Sequence, residues 1–111
     1  MKTLKDYQNE VKKLTKKFNF DWSNYVQYIH LIEEVGELGE ALTVYKGDRK
    51  AGTGKKALAD HCNLEEEFGD ILFTLLELGN QLNFDLAITL EKTFERYNRK
   101  LNKLKEVPDK Y

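Results

Sequence analysis

Apolar residues recur at three- and four-residue steps along most of the chain, the spacing that lines one face of an α-helix. After Thr3, the first run sets Leu4, Tyr7, Val11, Leu14 and Phe18 on one stripe, with lysines on the solvated side. Asn19 to Asn24 breaks the pattern, and Asp21 or Ser23 can cap the next helix. That second helix is predicted from about Tyr25 to Lys46, with Leu31, Val35, Leu38, Leu42 and Tyr45 on its core face and Gly47 as the C′ residue. Asn63 with Glu66 reads as a capping box opening a third helix, striped by Leu64, Phe68, Ile71, Leu75, Leu78 and Leu82. Asn80 to Asp85 forms a turn. Asp85 then caps a fourth helix with Leu90, Phe94, Tyr97, Leu101 and Leu104 in line, and a short frayed tail comes after Pro108. The pattern predicts an all-α fold, a helical bundle of four main helices. The second and third helices are apolar over arcs wider than one small core uses, so dimerisation is expected to complete the bundle, as a dimer or a dimer of dimers.

A length of 111 residues fits one domain spanning 1–111, small enough to bury only about two-thirds of its unfolded surface. The net charge of −1 predicts no nucleic-acid partner and no membrane partner. Basic residues nevertheless gather before Phe18 and again between Lys92 and Lys105, while acids occupy the two central helices. Cys62 is the only cysteine, which excludes an internal disulfide and a cysteine-based zinc site. No apolar run approaches about 18 residues, and MKTLKDYQNEVKK lacks a signal-peptide core. A cytoplasmic protein is the expectation.

The chemistry gathers in two segments, LIEEVGELGEAL and NLEEEFGDILFTLLELGNQL. Each carries an i, i+3 carboxylate pair beside a core-facing stripe: Glu34 with Glu37, and Glu67 with Asp70. Packing the two helices brings four carboxylates together, where uncompensated repulsion calls for a divalent cation. Mg²⁺ suits oxygen ligands, two ions are possible, and Mn²⁺ can substitute. Glu40 and Glu77 are placed off this seam. His30, one turn before Glu34, could ligate or orient a carboxylate, but a packed edge histidine is the simpler reading. Gly36 and Gly39 disfavour an isolated helix by roughly 1 kcal/mol each, which suggests close approach by a neighbouring backbone or a ligand. A ferritin-like di-iron bundle needs Glu-x-x-His pairs, and neither His30 nor His61 follows a glutamate by three.

Three further features bear on substrate. Trp22 covers the bundle end or stacks on a planar base. The loop GDRKAGTGKKALADH is no Walker motif, because Arg49 stands where the first glycine belongs before Gly54-Lys55. It is a connector, or an arm whose Lys50, Lys55 or Lys56 reaches a polyphosphate. Lys92, Arg96, Arg99, Lys100 and Lys103 lie off the fourth stripe, solvated or facing the acids as phosphate ligands.

EEVGEL (Glu33, Glu34, Glu37) followed by EFGDIL (Glu67, Asp70) resembles the EExxE…ExxD signature of MazG-like nucleotide pyrophosphohydrolases, the all-α NTP pyrophosphatase superfamily. That group includes dimeric dUTPases and phosphoribosyl-ATP pyrophosphohydrolases. The resemblance extends from about Trp22 to Leu101. It implies Mg²⁺-dependent cleavage of a nucleoside triphosphate between the α and β phosphates, in nucleotide-pool house-cleaning. By position it implies Glu34, Glu37, Glu67 and Asp70 as metal-binding acids, with Glu33 as an added acid. Asn98 and Arg99, in YNRK, are similar to residues the family uses near the nucleotide. Phe94 stands where the family has a lysine, so Lys92 or Arg96 would substitute. Two other functions compete: phosphoribosyl-ATP pyrophosphohydrolysis, and a metal-stabilised interaction module without catalysis.

Overall fold

The computed structural model describes residues 1–47 and 61–106, apart from the side chains of 61–63 and 106. Lys55, the rest of the connector it belongs to and the tail beyond Pro108 therefore lie outside the described residues. Those described form four helices and no strand: α1 (Leu4–Lys17), α2 (Asn24–Tyr45), α3 (His61–Gln81) and α4 (Leu86–Glu106).

Their ends follow from local chemistry. Thr3 caps α1 in a complete capping box with Asp6, which satisfies two otherwise orphan amide donors. Ser23, rather than Asp21, caps α2 by accepting from the Val26 amide. Gly47 lies just past α2 with φ +82°, a left-handed conformation that costs glycine little. Asn83 serves the same purpose after α3, with φ 61°. Asp85 opens α4 by accepting from the amides of Ala87 and Ile88 at 3.0 and 3.2 Å. One boundary differs from expectation. Helix α3 already runs from His61, so Asn63 lies inside it rather than at its cap.

Helices α2 and α3 form an antiparallel hairpin, α1 packs across α3, and α4 leaves the turn to pack on α1. Gln8 ties these parts together. Buried on α1, it donates to Asn80 Oδ1 (3.0 Å) and the Phe84 carbonyl (2.9 Å), and accepts from the Leu86 amide (2.8 Å). Asn80 donates back to the Gln8 carbonyl at 2.9 Å. Where α3 meets α4, a Cβ on Gly79 would come within 2.7 Å of the Leu86 side chain, so any larger residue there would have to push Leu86 aside.

The packed faces correct the expected stripes. The buried residues of α2 are Gln27, Glu34 and Ala41, one line at seven-residue spacing. Val35, Leu42 and Tyr45 instead stay 44–48 % exposed. On α3, Thr74, Leu76 and Glu77 are buried, while Phe68, Leu75 and Leu82 are exposed. The seam of the hairpin is therefore polar, and the apolar stripes flank it. Within one protomer each helix has too few neighbours to cover an arc that wide. The α4 stripe is barer still: Leu90, Phe94, Tyr97, Leu101 and Leu104 are all about half exposed or more. An apolar groove of about 540 Å³ stays open between α1 and α3, lined by Leu4, Tyr7, Leu14 and Leu72 among others. The radius of gyration is 18.2 Å, against about 13 Å for a compact domain of this length. The four helices do not close a bundle on their own.

Candidate active site

The hairpin seam carries the carboxylates. Glu34 from α2 and Glu67 and Asp70 from α3 each offer a ligand atom within 4.8 Å of the others. Glu34 is buried, Glu67 half-buried and Asp70 exposed, so the cluster grades from the seam to solvent. Burial, then the Glu34 and Glu37 carboxylates beside it, push the Glu67 pKa from 4.5 up to about 7. Glu34 Oε2 and Glu67 Oε2 are buried without a hydrogen-bond partner. Orphaned carboxylate oxygens held against like charge form a donor set that fits a hard divalent cation. Glu37 lies beside Glu67 and adds to its shift, although it falls outside the 4.8 Å set. Glu33 points away, with its side chain 67 % exposed.

His30 stands at the cluster's edge. Its Nε2 lies 3.3 Å from Glu34 Oε1, and its Nδ1 4.0 Å from Glu33. The Trp22 indole meets the His30 ring edge-on, centroids 5.2 Å apart. The Trp22 carbonyl accepts from Gln81 Nε2 at 2.7 Å, which anchors the α1–α2 connection to the end of α3. Beside these residues a cavity of about 220 Å³ is lined by Phe20, Trp22, His30, Phe73, Thr74 and Glu77.

Other expected site residues do not reach the carboxylates within one protomer. Lys92, Arg96, Asn98 and Arg99 lie exposed on α4, which packs on α1 rather than α2. Arg96 sits over the neighbouring Tyr97 ring, 5.5 Å from its centroid.

Two residues take a part that the sequence pattern hides. Glu77, expected off the acidic seam, is 9 % exposed, and Gln27 is 1 % exposed. Burial is the largest influence on the Glu77 carboxyl and raises its pKa, against the smaller lowering effects of the Gln27 side chain and His30. A usable signal was present: Gln27 stands seven residues before Glu34 and Glu77 seven after Asp70, two helical turns each way along the same seam.

Comparison with known proteins agrees with this geometry. The sequence is 36 % identical over 102 residues to the uncharacterised Bacillus subtilis protein YpjD, covering 91 % of this chain and 85 % of that one. The crystal structure of YpjD superposes with a TM-score of 0.74 at 33 % identity, over 88 % of this chain and 97 % of the other. A Bacillus-conserved MazG protein, described as a nucleotide pyrophosphohydrolase, superposes with a TM-score of 0.62 at 29 % identity, over 99 % and 96 % of the two chains. The nucleoside triphosphate pyrophosphohydrolase of Escherichia coli is 25 % identical over 99 residues, which span 88 % of this chain but 33 % of that longer protein. Residues 23–107 match the MazG nucleotide pyrophosphohydrolase domain, a stretch that begins at the α2 cap and takes in every carboxylate of the cluster. With that match, and with paired acids facing each other across a helical hairpin, the chain belongs to the MazG family of nucleotide pyrophosphohydrolases.

Proposed function

We propose that the protein hydrolyses the α–β phosphoanhydride of a nucleoside triphosphate, releasing the monophosphate and pyrophosphate, in a Mg²⁺-dependent reaction. The observation that carries this reading is the convergence of Glu34, Glu67 and Asp70 within 4.8 Å. Glu34, Glu67 and Asp70, with Glu37 beside them, would hold one or two cations, Mg²⁺ or Mn²⁺. A bound divalent cation neutralises phosphate charge and makes water a better nucleophile near neutral pH. The chain's own contribution is to hold its carboxylates fixed on two packed helices, so that little reorganisation is needed when substrate arrives. A carboxylate of the set that is not spent on the cation accepts the proton of the attacking water as its oxygen bonds to phosphorus and the bridging P–O bond breaks. Glu37, beside Glu67, borders the cluster for that task.

Phosphate contacts fall to the basic face of α4: Lys92, Arg96, Asn98 and Arg99. Because α4 packs away from its own carboxylates, these residues would be supplied across a homodimer, or within a dimer of dimers. No helix among the described residues is long and apolar enough to cross a membrane, which agrees with a cytoplasmic role in nucleotide-pool house-cleaning.

The test is product analysis. Purified protein with Mg²⁺ should convert at least one ribo- or deoxyribonucleoside triphosphate to monophosphate and pyrophosphate. Orthophosphate and diphosphate as first products would refute the assigned bond. Turnover confined to phosphoribosyl-ATP would move the protein to that branch of the superfamily.

A further inference from the structure

Glu34 is the most enclosed acid of the cluster, with its side chain 12 % exposed, and Glu67 and Asp70 stand close against it. Without a cation those neighbours repel it, and a glutamate side chain is flexible enough to swing away. Among the described residues, the one basic side chain within 4 Å of Glu34, Glu67 or Asp70 is His30. It lies one turn earlier on α2, so its ring reaches the same side of the helix. Nε2 stands 3.3 Å from Glu34 Oε1, while Oε2 of that carboxyl is buried with no partner. One oxygen is occupied and the other is open.

The imidazole is held in turn. The Trp22 indole meets it edge-on, with centroids 5.2 Å apart and planes at 77°, a favoured geometry for aromatic pairs. Trp22 is itself fixed to the end of α3 through its carbonyl, which accepts from Gln81 Nε2 at 2.7 Å. A train of contacts therefore runs from α3 through Trp22 and His30 to Glu34.

Resting on the metal-dependent reading above, we propose that His30 is a positioning residue: steadied by Trp22, it engages Glu34 Oε1 and leaves Oε2 for the cation, without binding the cation itself. A hard divalent ion takes oxygen ligands, and the atoms that converge within 4.8 Å come from three carboxylates and not from the imidazole. A group that fixes the orientation of a metal ligand typically accounts for roughly 10- to 100-fold in metal affinity. Glu33 is the other acid near the ring, 4.0 Å from Nδ1 and exposed, so the shorter contact is the one made to the cluster.

The probe is Mn²⁺ alone, titrated without nucleotide and followed by the electron paramagnetic resonance of the free ion. It would be applied to the wild type, His30→Leu, His30→Gln, Trp22→Leu and the variant carrying both His30→Leu and Trp22→Leu. His30→Leu should raise the Kd roughly tenfold. His30→Gln keeps an N–H donor and should restore most of the affinity, which a merely space-filling role would not predict. Trp22→Leu should weaken binding by a smaller factor, and that factor should vanish once His30 is Leu, because Trp22 acts through it. Unchanged affinity in His30→Leu, or equal losses in His30→Leu and His30→Gln, would overturn the assignment. So would nitrogen hyperfine coupling in the spin-echo spectrum of bound Mn²⁺, the signature of an imidazole that ligates directly. If His30→Leu does not fold, His30→Ala takes its place with the same expected loss. Equal Mn²⁺ binding by all variants would overturn the positioning role and leave the pyrophosphohydrolase reading standing. A loss rescued by His30→Gln in a protein that releases no pyrophosphate from any triphosphate would support the positioning role and refute the catalytic reading. A wild type that binds no Mn²⁺ would overturn both.

Discussion

Glu67 is an acid that folding makes harder to ionise, held near pKa 7 instead of 4.5 by burial and by the carboxylates of Glu34 and Glu37. Its folded pKa lies above its unfolded one, so folding takes up a proton between the two values. The stability of the cation-free protein should therefore fall as pH rises from about 4.5 to about 7 and level off above that. Melting curves across this range would show it. Asp6 and Asp85 act in a different window, because their capping bonds lower their pKa values below 3.8 and their contribution is lost only on further acidification. Glu67→Gln should flatten the upper slope and leave the apo protein at about pH 8 as stable or more so, by on the order of 1 kcal/mol. The same change should shrink the Mg²⁺-induced rise in melting temperature, which reports binding to the folded state, and lower turnover by orders of magnitude. Exposed Glu40→Gln is the control. Glu77 cannot serve as one, since it is buried. The carboxylates were legible because i, i+3 spacing beside a stripe is written in the sequence. Glu77 and Gln27 were not, because helical periodicity marks the margin of a stripe without saying which side of it a neighbouring helix will cover.

At the scale of elements, the helices and most of their caps could be read directly, because a cap is a contact between residues a few positions apart. Gln8 could not. It sits among polar neighbours on α1, and all its partners lie more than seventy residues away. Gln8→Ala would leave the Leu86 amide and the Phe84 carbonyl short of a partner, at a cost of about 1–3 kcal/mol in chemical unfolding. The glycines separate in the same experiment. Gly79→Ala gains about 1 kcal/mol in helix propensity but forces Leu86 aside, a clash that typically costs about 1–3 kcal/mol, so a net loss is expected. Around Gly36 and Gly39 nothing stands within 4 Å of an added Cβ. In the protomer each should stabilise on change to Ala. Loss of assembly or of activity with retained helicity would show that a second copy or the nucleotide closes on that face.

For the molecule as a whole, the stripes were visible in the sequence but their partners were not, because a single chain's pattern does not say whose surface will cover it. The buried apolar residues of the described part are Val11, Ala41 and Leu76, too few for an independent core. The surface of 9313 Å² exceeds by about 3,000 Å² what a compact chain of this mass exposes. Part of that excess belongs to any elongated shape. The remainder is on the scale of an obligate dimer interface, about 2,000 Å² or more in total. Light scattering at micromolar concentration should give a dimer or tetramer mass, and Phe94→Lys with Leu101→Lys should reduce it. If α4 completes a neighbour's site, inactive Asp70→Asn and Arg99→Ala proteins, mixed and allowed to exchange, should recover up to about a quarter of wild-type activity, from mixed dimers with one intact site. The open stripes also change what folding means for this chain. When the core is made between copies, the folded fraction obeys mass action, and the melting temperature rises with protein concentration. A cell that makes little of the protein would hold less of it folded, as well as less of it in total, so small changes in expression would be amplified in activity.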